Sequence, residues 1–149
     1  MDFHKFPKVE RHLHLDCSLS YSAVSKLNPS ATHQEYLETF IAPAKCTNLA
    51  DFLTRAVKGI TLMQTKEQLH LVTLDLFEQL QYDNVLYAEI RFAPLLHTEN
   101  GLTAEDVVAI VEAAIKTACQ ATGIEARLIL CTLRHFSQKQ SLETVKLVE

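Results

Sequence analysis

The side chains best suited to catalysis or metal binding lie near the N-terminus at alternate positions: His12, His14 and Asp16. The segment Lys8 to Leu15 has the composition and partial alternation of a short strand. Alternate residues of a strand face the same side, so we expect these three side chains to project together from its C-terminal end. Two imidazoles at this spacing can reach one divalent ion such as zinc. The competing interpretation is a pair of ordinary histidines that bind no metal.

The remainder of the chain alternates between helical and strand patterns. Residues 20–63 have mostly helical apolar spacing with breaks at both of their prolines, Pro29 and Pro43, which predicts several short helices. Beyond this insertion we predict a helix over 65–81, a strand over 85–92, a helix from Thr103 to about Cys119, a strand over 125–132 and a helix over 141–149. Such alternation is typical of an α/β protein with parallel strands.

Two architectures fit this order, a doubly wound sheet and a (β/α)₈ barrel. Reactive residues at the C-terminal end of a strand favour the barrel. A complete barrel takes roughly 250 residues. We therefore predict that residues 1–149 form part of one domain, a partial (β/α)₈ TIM barrel that comprises the first three strands and a helical insertion after strand 1.

Composition excludes several classes of function. The 149 residues are 48% hydrophobic and carry a formal net charge of −4, which favours neither nucleic acid nor an anionic membrane as partner. The 3 glycines form no phosphate-binding motif. The 4 cysteines form no Cys-x-x-Cys pair, and the N-terminus lacks the apolar run of a signal peptide. We expect a cytoplasmic protein with reduced thiols and a small substrate.

The segment Phe6–Asp16 closely resembles the opening of adenosine deaminases within the amidohydrolase superfamily. Three later segments resemble the same family in the same order. Leu49–Leu53 resembles its helix over the pocket, Tyr87–Pro94 its second strand and Ile129–His135 its third. The resemblance extends over essentially the whole chain.

This resemblance implies hydrolytic deamination of adenosine or deoxyadenosine to inosine or deoxyinosine by a metal-activated water. It implies that His12 and His14 ligate one zinc ion, Zn²⁺, and that Asp16 hydrogen-bonds a sugar hydroxyl of a purine nucleoside. Relatives specific for adenine resemble this motif with Glu at the position of Asp16, so the shorter carboxylate favours the nucleoside over the free base.

The resemblance also assigns substrate-binding positions on a helix. Leu49, Phe52 and Leu53 match positions that line an apolar subsite and gate the pocket; the alternative is an apolar helix face that packs on the core. Cys17 stands where the family usually has glycine, and its thiol is either a tolerated small residue or one that narrows the pocket.

Other polar residues are expected to have structural roles. Glu89 and Arg91 share one strand face, and an ion pair that fixes strand packing is the preferred interpretation over catalysis. His135, at the end of the third strand, is expected to be structural at the barrel mouth.

The family's acid/base groups and remaining metal ligands lie beyond the third strand, and catalytic zinc normally has three or more protein ligands. We therefore expect this chain to be inactive alone, as a truncated product or as the partner of a complementary C-terminal polypeptide. Two other functions remain open. They are a metal-dependent phosphoesterase with a His-x-His strand and a non-catalytic remnant that serves as a binding module.

Overall fold

The computed structural model describes residues 3–148, and within them every side chain except those of Leu49 and Phe52. The strands are β1 (Lys8–His14), β2 (Val85–Phe92) and β3 (Glu125–Leu130), and the helices are α1 (Tyr21–Leu27), α2 (His33–Thr39), α3 (Leu49–Thr61), α4 (Lys66–Tyr82), α5 (Ala104–Thr122) and α6 (Gln138–Lys146). Short 3₁₀ turns span Phe3–Lys5, Leu15–Cys17 and Pro94–His97. Within residues 3–148, no helix has both the length and the apolar character of a membrane span.

The strands form one parallel sheet in the order β1-β2-β3. Helices α4 and α5 pack on each other and against one face of this sheet, where Ala88, Ile90 and Phe92 of β2 are buried. The opposite face carries the partly exposed side chains of Tyr87, Glu89 and Arg91. One helical layer on a parallel sheet that is otherwise uncovered is the arrangement of a barrel segment. The predicted partial (β/α)₈ barrel is confirmed.

Local signals set most element boundaries. Thr65 and Thr103 each begin a helix with a reciprocal capping box, and Gly123 ends α5 in the left-handed region at φ 76°. Several predicted boundaries were wrong. Helix α5 extends to Thr122, beyond the predicted Cys119, and α6 ends at Lys146, before the predicted 149. Strand β3 ends at Leu130, before the predicted 132, and α6 begins at Gln138, before the predicted 141, because Ser137 and Gln140 form a further capping box.

The pairing register of strand β1 with β2 is irregular between Glu10 and Leu13, next to His12 and His14. Glu10 pairs with Ala88 and Leu13 with Ile90, so three steps along β1 match two along β2. An extra residue in one strand is the definition of a β-bulge, and it changes the phase of side-chain alternation. Arg11 and His12 are consequently both exposed, although they are sequence neighbours.

Candidate active site

His12 and His14 occupy the C-terminal end of β1, as expected from their spacing. Their ring centroids lie 5.3 Å apart, with an angle of 46° between the ring planes. His12 is exposed, and 44% of the His14 side chain is accessible. Both imidazoles are therefore adjacent and open on one side, which is the arrangement a shared ligand needs.

Asp16 follows in the 3₁₀ turn Leu15–Cys17 and not on the strand itself. The residue is buried, with 8% exposure, and its Oδ1 lies 3.6 Å from Nδ1 of His14. The thiol of Cys17 donates to the same oxygen at 3.5 Å. Ligand atoms of His14, Asp16 and Cys17 lie within 4.8 Å of one another. The turn thus brings Asp16 to His14, and His12 is not a member of this group of three.

Arg91 of β2 extends across the open face of the sheet. Its Nη1 donates to Nε2 of His12 at 2.9 Å, and its Nε donates to Sγ of Cys131 at 3.2 Å. The described residues show no ion pair between Glu89 and Arg91, so the expected pairing of these two is wrong. Glu89 instead accepts from the Tyr87 hydroxyl at 3.1 Å and lies 4.0 Å from Arg11. The bulge in β1 places His12 within reach of Arg91.

The surroundings of His14 favour its neutral form. Burial lowers the pKa of His14 below 6.5, and the charges of Arg91 and His12 act in the same direction, whereas Asp16 opposes them. A neutral imidazole keeps a free lone pair, which metal coordination requires. His14 therefore fits a divalent ion of the zinc type, whereas Nε2 of His12 accepts from Arg91 and becomes available to the same ion when that contact is released.

Helix α4 forms hydrogen bonds with the segment that follows Asp16. Asp75 is 8% exposed and accepts three hydrogen bonds. Two come from Ser20, from Oγ at 2.5 Å and from the backbone N–H of Ser20 at 3.1 Å, and the third comes from Nε2 of Gln79 at 2.9 Å. Gln79 also donates to the carbonyl of Ser18 at 2.7 Å. These contacts, of which those to Asp75 are partly buried, hold the segment that leaves the turn. Sequence reasoning missed them; the only signal was an acid on the apolar face of α4.

Helix α3 approaches the same turn from the other side. A Cβ placed on Gly59 would overlap the backbone carbonyl of Asp16 and come within 3.3 Å of a Leu19 methyl. Only glycine permits this backbone-to-backbone approach. Helix α3, which carries the predicted subsite residues, is therefore docked directly on Asp16.

A second buried connection joins the α3–α4 junction to the end of β2. His97 is fully buried, and its Nδ1 donates to the carbonyl of Met63 at 2.9 Å. Gln64 donates to the carbonyl of Leu96 at 2.8 Å and accepts from the N–H of Glu99 at 3.0 Å. Because Nδ1 carries the proton, Nε2 of His97 is an acceptor, and it has no partner among the described residues. Burial lowers the pKa of His97.

A cavity of about 190 Å³ lies beside Asp16. It is bounded by the Asp16–Cys17 turn, by the chain between α2 and α3 and by Arg55 and Ala56 of α3. Leu53 is 47% exposed and lies outside its lining. The side chains of Leu49 and Phe52 are outside the described part, so the subsite assigned to these three residues stays a prediction. His135, also exposed, lies outside the cavity as well.

A family profile described as adenosine deaminase matches residues 7–149. The chain belongs to the adenosine deaminase family. An adenosine deaminase of Clostridium botulinum is 36% identical over 153 aligned positions, which cover 98% of this chain and 46% of that protein. The chain thus spans about half the length of the curated relatives it matches.

Solved structures agree with this family membership. An adenine deaminase from Arthrobacter aurescens is 26% identical and superposes with a TM-score of 0.78 over 94% of this chain and 44% of that one. An amidohydrolase from Burkholderia ambifaria, solved with bound Zn, superposes with a TM-score of 0.83 over 98% of this chain and 41% of that one. At 22% identity the latter shows the fold alone.

Proposed function

We propose that residues 1–149 form the part of an adenosine deaminase barrel that contributes two metal ligands and one substrate contact. The completed barrel would convert adenosine or deoxyadenosine to inosine or deoxyinosine and release ammonia. The observation that carries this proposal is the juxtaposition of three groups. His12 and His14 lie with ring centroids 5.3 Å apart, and Asp16 lies 3.6 Å from His14 at the wall of a cavity.

In this proposal His12 and His14 hold one divalent metal ion, which supplies activation of water and Lewis-acid chemistry when bound. Zinc is the expected ion because neutral imidazole suits it and because a protein of this fold was solved with bound Zn. The lowered pKa of His14 keeps its ring available as a ligand near neutral pH. Proton transfer to the purine and the leaving amine is assigned to groups outside this chain.

Asp16 is proposed to bind and orient the nucleoside. Its carboxylate is held in a buried turn between α3, at Gly59, and the Ser18–Ser20 segment anchored by α4. A carboxylate fixed in this way accepts a hydrogen bond from a sugar hydroxyl without first having to be ordered. Because this hydrogen bond would hold the sugar, away from the reacting carbon, it would fix the position of the purine relative to the metal ion.

The proposal is tested with a barrel fusion, defined here as residues 1–149 joined to the part of the Clostridium botulinum relative outside the matched region. Adenosine conversion by the zinc-loaded barrel fusion is followed as loss of ultraviolet absorbance. Asp16→Ala is expected to raise KM more than it lowers kcat, because the lost contact binds substrate away from the chemistry. Glu10→Ala, on the preceding strand, is the matched control. Equal kinetics in both variants would contradict the role of Asp16.

A further inference from the structure

Helix α3 is held in place mainly at its C-terminal end. Among the α3 residues whose burial is described, Gly59 alone is buried, and the apolar side chains of Leu53 and Val57 are 47% and 58% exposed. A helix with so few buried contacts is only weakly positioned by the hydrophobic core. Its location beside Asp16 therefore depends on specific contacts, which lie at Gly59 and just beyond it.

Gln64 connects this end of α3 to the segment that follows β2, residues 93–99, which we call the β2 exit. Gln64 is 3% exposed, and both ends of its amide form hydrogen bonds. Nε2 donates to the carbonyls of Ile60 at 3.0 Å and Leu96 at 2.8 Å, and Oε1 accepts from the N–H of Glu99 at 3.0 Å. A buried polar group whose hydrogen bonds are formed in this way rigidifies the elements that it joins. Gln64 thus fixes α3 relative to the β2 exit.

His97 forms a second link between the same two segments. Its imidazole is fully buried, its ring centroid lies 5.7 Å from that of Phe92, and its Nδ1 donates to the carbonyl of Met63 at 2.9 Å. Burial lowers the pKa of His97, whereas the hydrogen bond to Met63 and the charges of Asp16 and Glu99 act in the opposite direction. The carboxylate of Asp16 therefore lies within electrostatic reach of this ring.

The end of α3 transmits these two links to the Asp16 turn. Ile60, which accepts from Gln64, directly follows Gly59 in the chain. Gly59 in turn lies against the backbone carbonyl of Asp16, with no side chain between them. Because two backbone segments in contact cannot adjust by a change of rotamer, a displacement of the α3 end must also displace the turn.

We propose that Gln64 and His97 are positioning residues for Asp16 and that they act through the C-terminal end of α3. They hold the helix, and the helix holds the Asp16 turn. The inference rests on the proposed function, in which Asp16 binds the sugar, so loss of either residue weakens substrate binding more than it slows the chemical step. The connection from the two residues to the turn is itself independent of turnover.

The first test measures the ¹⁵N amide signals of residues 16–19 in the 149-residue chain. Gln64→Met keeps the side-chain length and His97→Leu keeps apolar bulk, but each removes hydrogen bonds that join α3 to the β2 exit. Each is expected to displace these signals. His97→Asn supplies an amide donor in place of Nδ1 and is expected to return them toward their wild-type positions. Gln64→Met, the milder change, decides the outcome if His97→Leu does not fold.

Ile115→Ala is the matched control for lost stability. Ile115 is 8% exposed in the second half of α5, and truncation of a core isoleucine destabilises a protein. This variant is expected to lower the stability of the chain and to leave the signals of residues 16–19 in place. A displacement seen only in the Gln64 and His97 variants is then a local effect on the turn.

The second test measures adenosine turnover by the barrel fusion. Gln64→Met and His97→Leu are each expected to raise KM by about two- to thirtyfold, the range for residues that act on a site indirectly, with a smaller change in kcat. His97→Asn is expected to recover most of the change in KM. Ile115→Ala is expected to leave KM unaltered.

Signals of residues 16–19 that move no further in folded Gln64→Met or His97→Leu than in Ile115→Ala would overturn the inference. Equal displacement in His97→Leu and His97→Asn would also overturn the role of His97, because its hydrogen bond to Met63 would then not be responsible. In a fusion that turns over adenosine, a KM no higher than that of Ile115→Ala would have the same meaning. Absence of turnover by the wild-type fusion contradicts the proposed function instead, and the amide signals then decide the connection to the turn.

Discussion

Gly59 of α3 lies so close to the backbone carbonyl of Asp16 that an added Cβ would overlap the oxygen. The obstacle is backbone, so it cannot rotate away as a flexible side chain would. Gly59→Ala must therefore shift α3 or the Asp16 turn. We expect it to lower the free energy of unfolding by about 1–3 kcal/mol, the usual cost of overpacking. Lys58→Ala, on the exposed side of the same helix, is the control in a urea titration. An unchanged midpoint for Gly59→Ala would contradict this packing.

Asp75 is expected to be important for stability although it lies outside the cavity. Asp75→Ala removes the acceptor of Ser20 and Gln79, leaving partly buried donors without a partner. Loss of such an acceptor costs about 1–3 kcal/mol. Glu78→Ala, at an exposed position on the same helix, is expected to have little effect. Equal denaturant midpoints for the two variants would show that the Asp75 contacts do not stabilise the fold.

His97 is expected to make stability depend on pH. Burial lowers its pKa in the folded protein below 6.5, so the unfolded chain takes up a proton first as the pH falls. Its stabilising contribution is therefore complete above pH 6.5 and declines below it until the folded-state pKa is reached. One proton corresponds to a slope of at most about 1.4 kcal/mol per pH unit.

This slope is measured from urea midpoints between pH 7.5 and 5.5, about one pH unit either side of the ordinary histidine pKa. His97→Gln keeps a side-chain donor for the Met63 carbonyl and is expected to flatten the dependence. His70→Gln, an exposed position on α4, is expected to leave it unchanged. His14 contributes in the same direction as His97, so some slope remains in His97→Gln. An unaltered slope in that variant would refute the role of the buried imidazole.

His12 and His14 are expected to be necessary for metal uptake by the barrel fusion. Either His12→Ala or His14→Ala removes one of the two imidazoles that this chain places together, and a three- or four-ligand site loses much of its affinity with any ligand. His135→Ala is the matched control, because the exposed His135 is predicted to be structural and not a metal ligand. Zinc content after dialysis, measured by atomic emission, distinguishes the variants. Full zinc content in His12→Ala or His14→Ala would remove the ligand assignment.

Local patterns predicted the elements well. Strand β2 was predicted at 85–92, as found, and helix α4 followed from the capping box at Thr65. The apolar spacing predicts the start of α6 at 141, whereas the capping box at Ser137 starts this helix at Gln138. Local hydrogen bonding and side-chain periodicity determine such features, so they are visible in a single sequence.

The contacts that position the candidate site residues could not be predicted, because they join residues distant in sequence. The bulge that brings His12 to Arg91, the approach of Gly59 to Asp16 and the contact of His97 with Met63 all require the tertiary fold. The residue types alone suggest other roles. An isolated glycine in a helix indicates weak propensity, and a histidine after a strand indicates a ligand as readily as a buried donor.

Adenosine turnover by the zinc-loaded barrel fusion, compared between wild type and His14→Ala, tests the proposed function most directly. His14 is chosen because it contacts both His12 and Asp16. Loss of ultraviolet absorbance with the wild-type fusion, and none with His14→Ala or with the unfused chain, is the expected result. No turnover by a folded, zinc-containing wild-type fusion would contradict the proposed function, and equal turnover by His14→Ala would contradict the site.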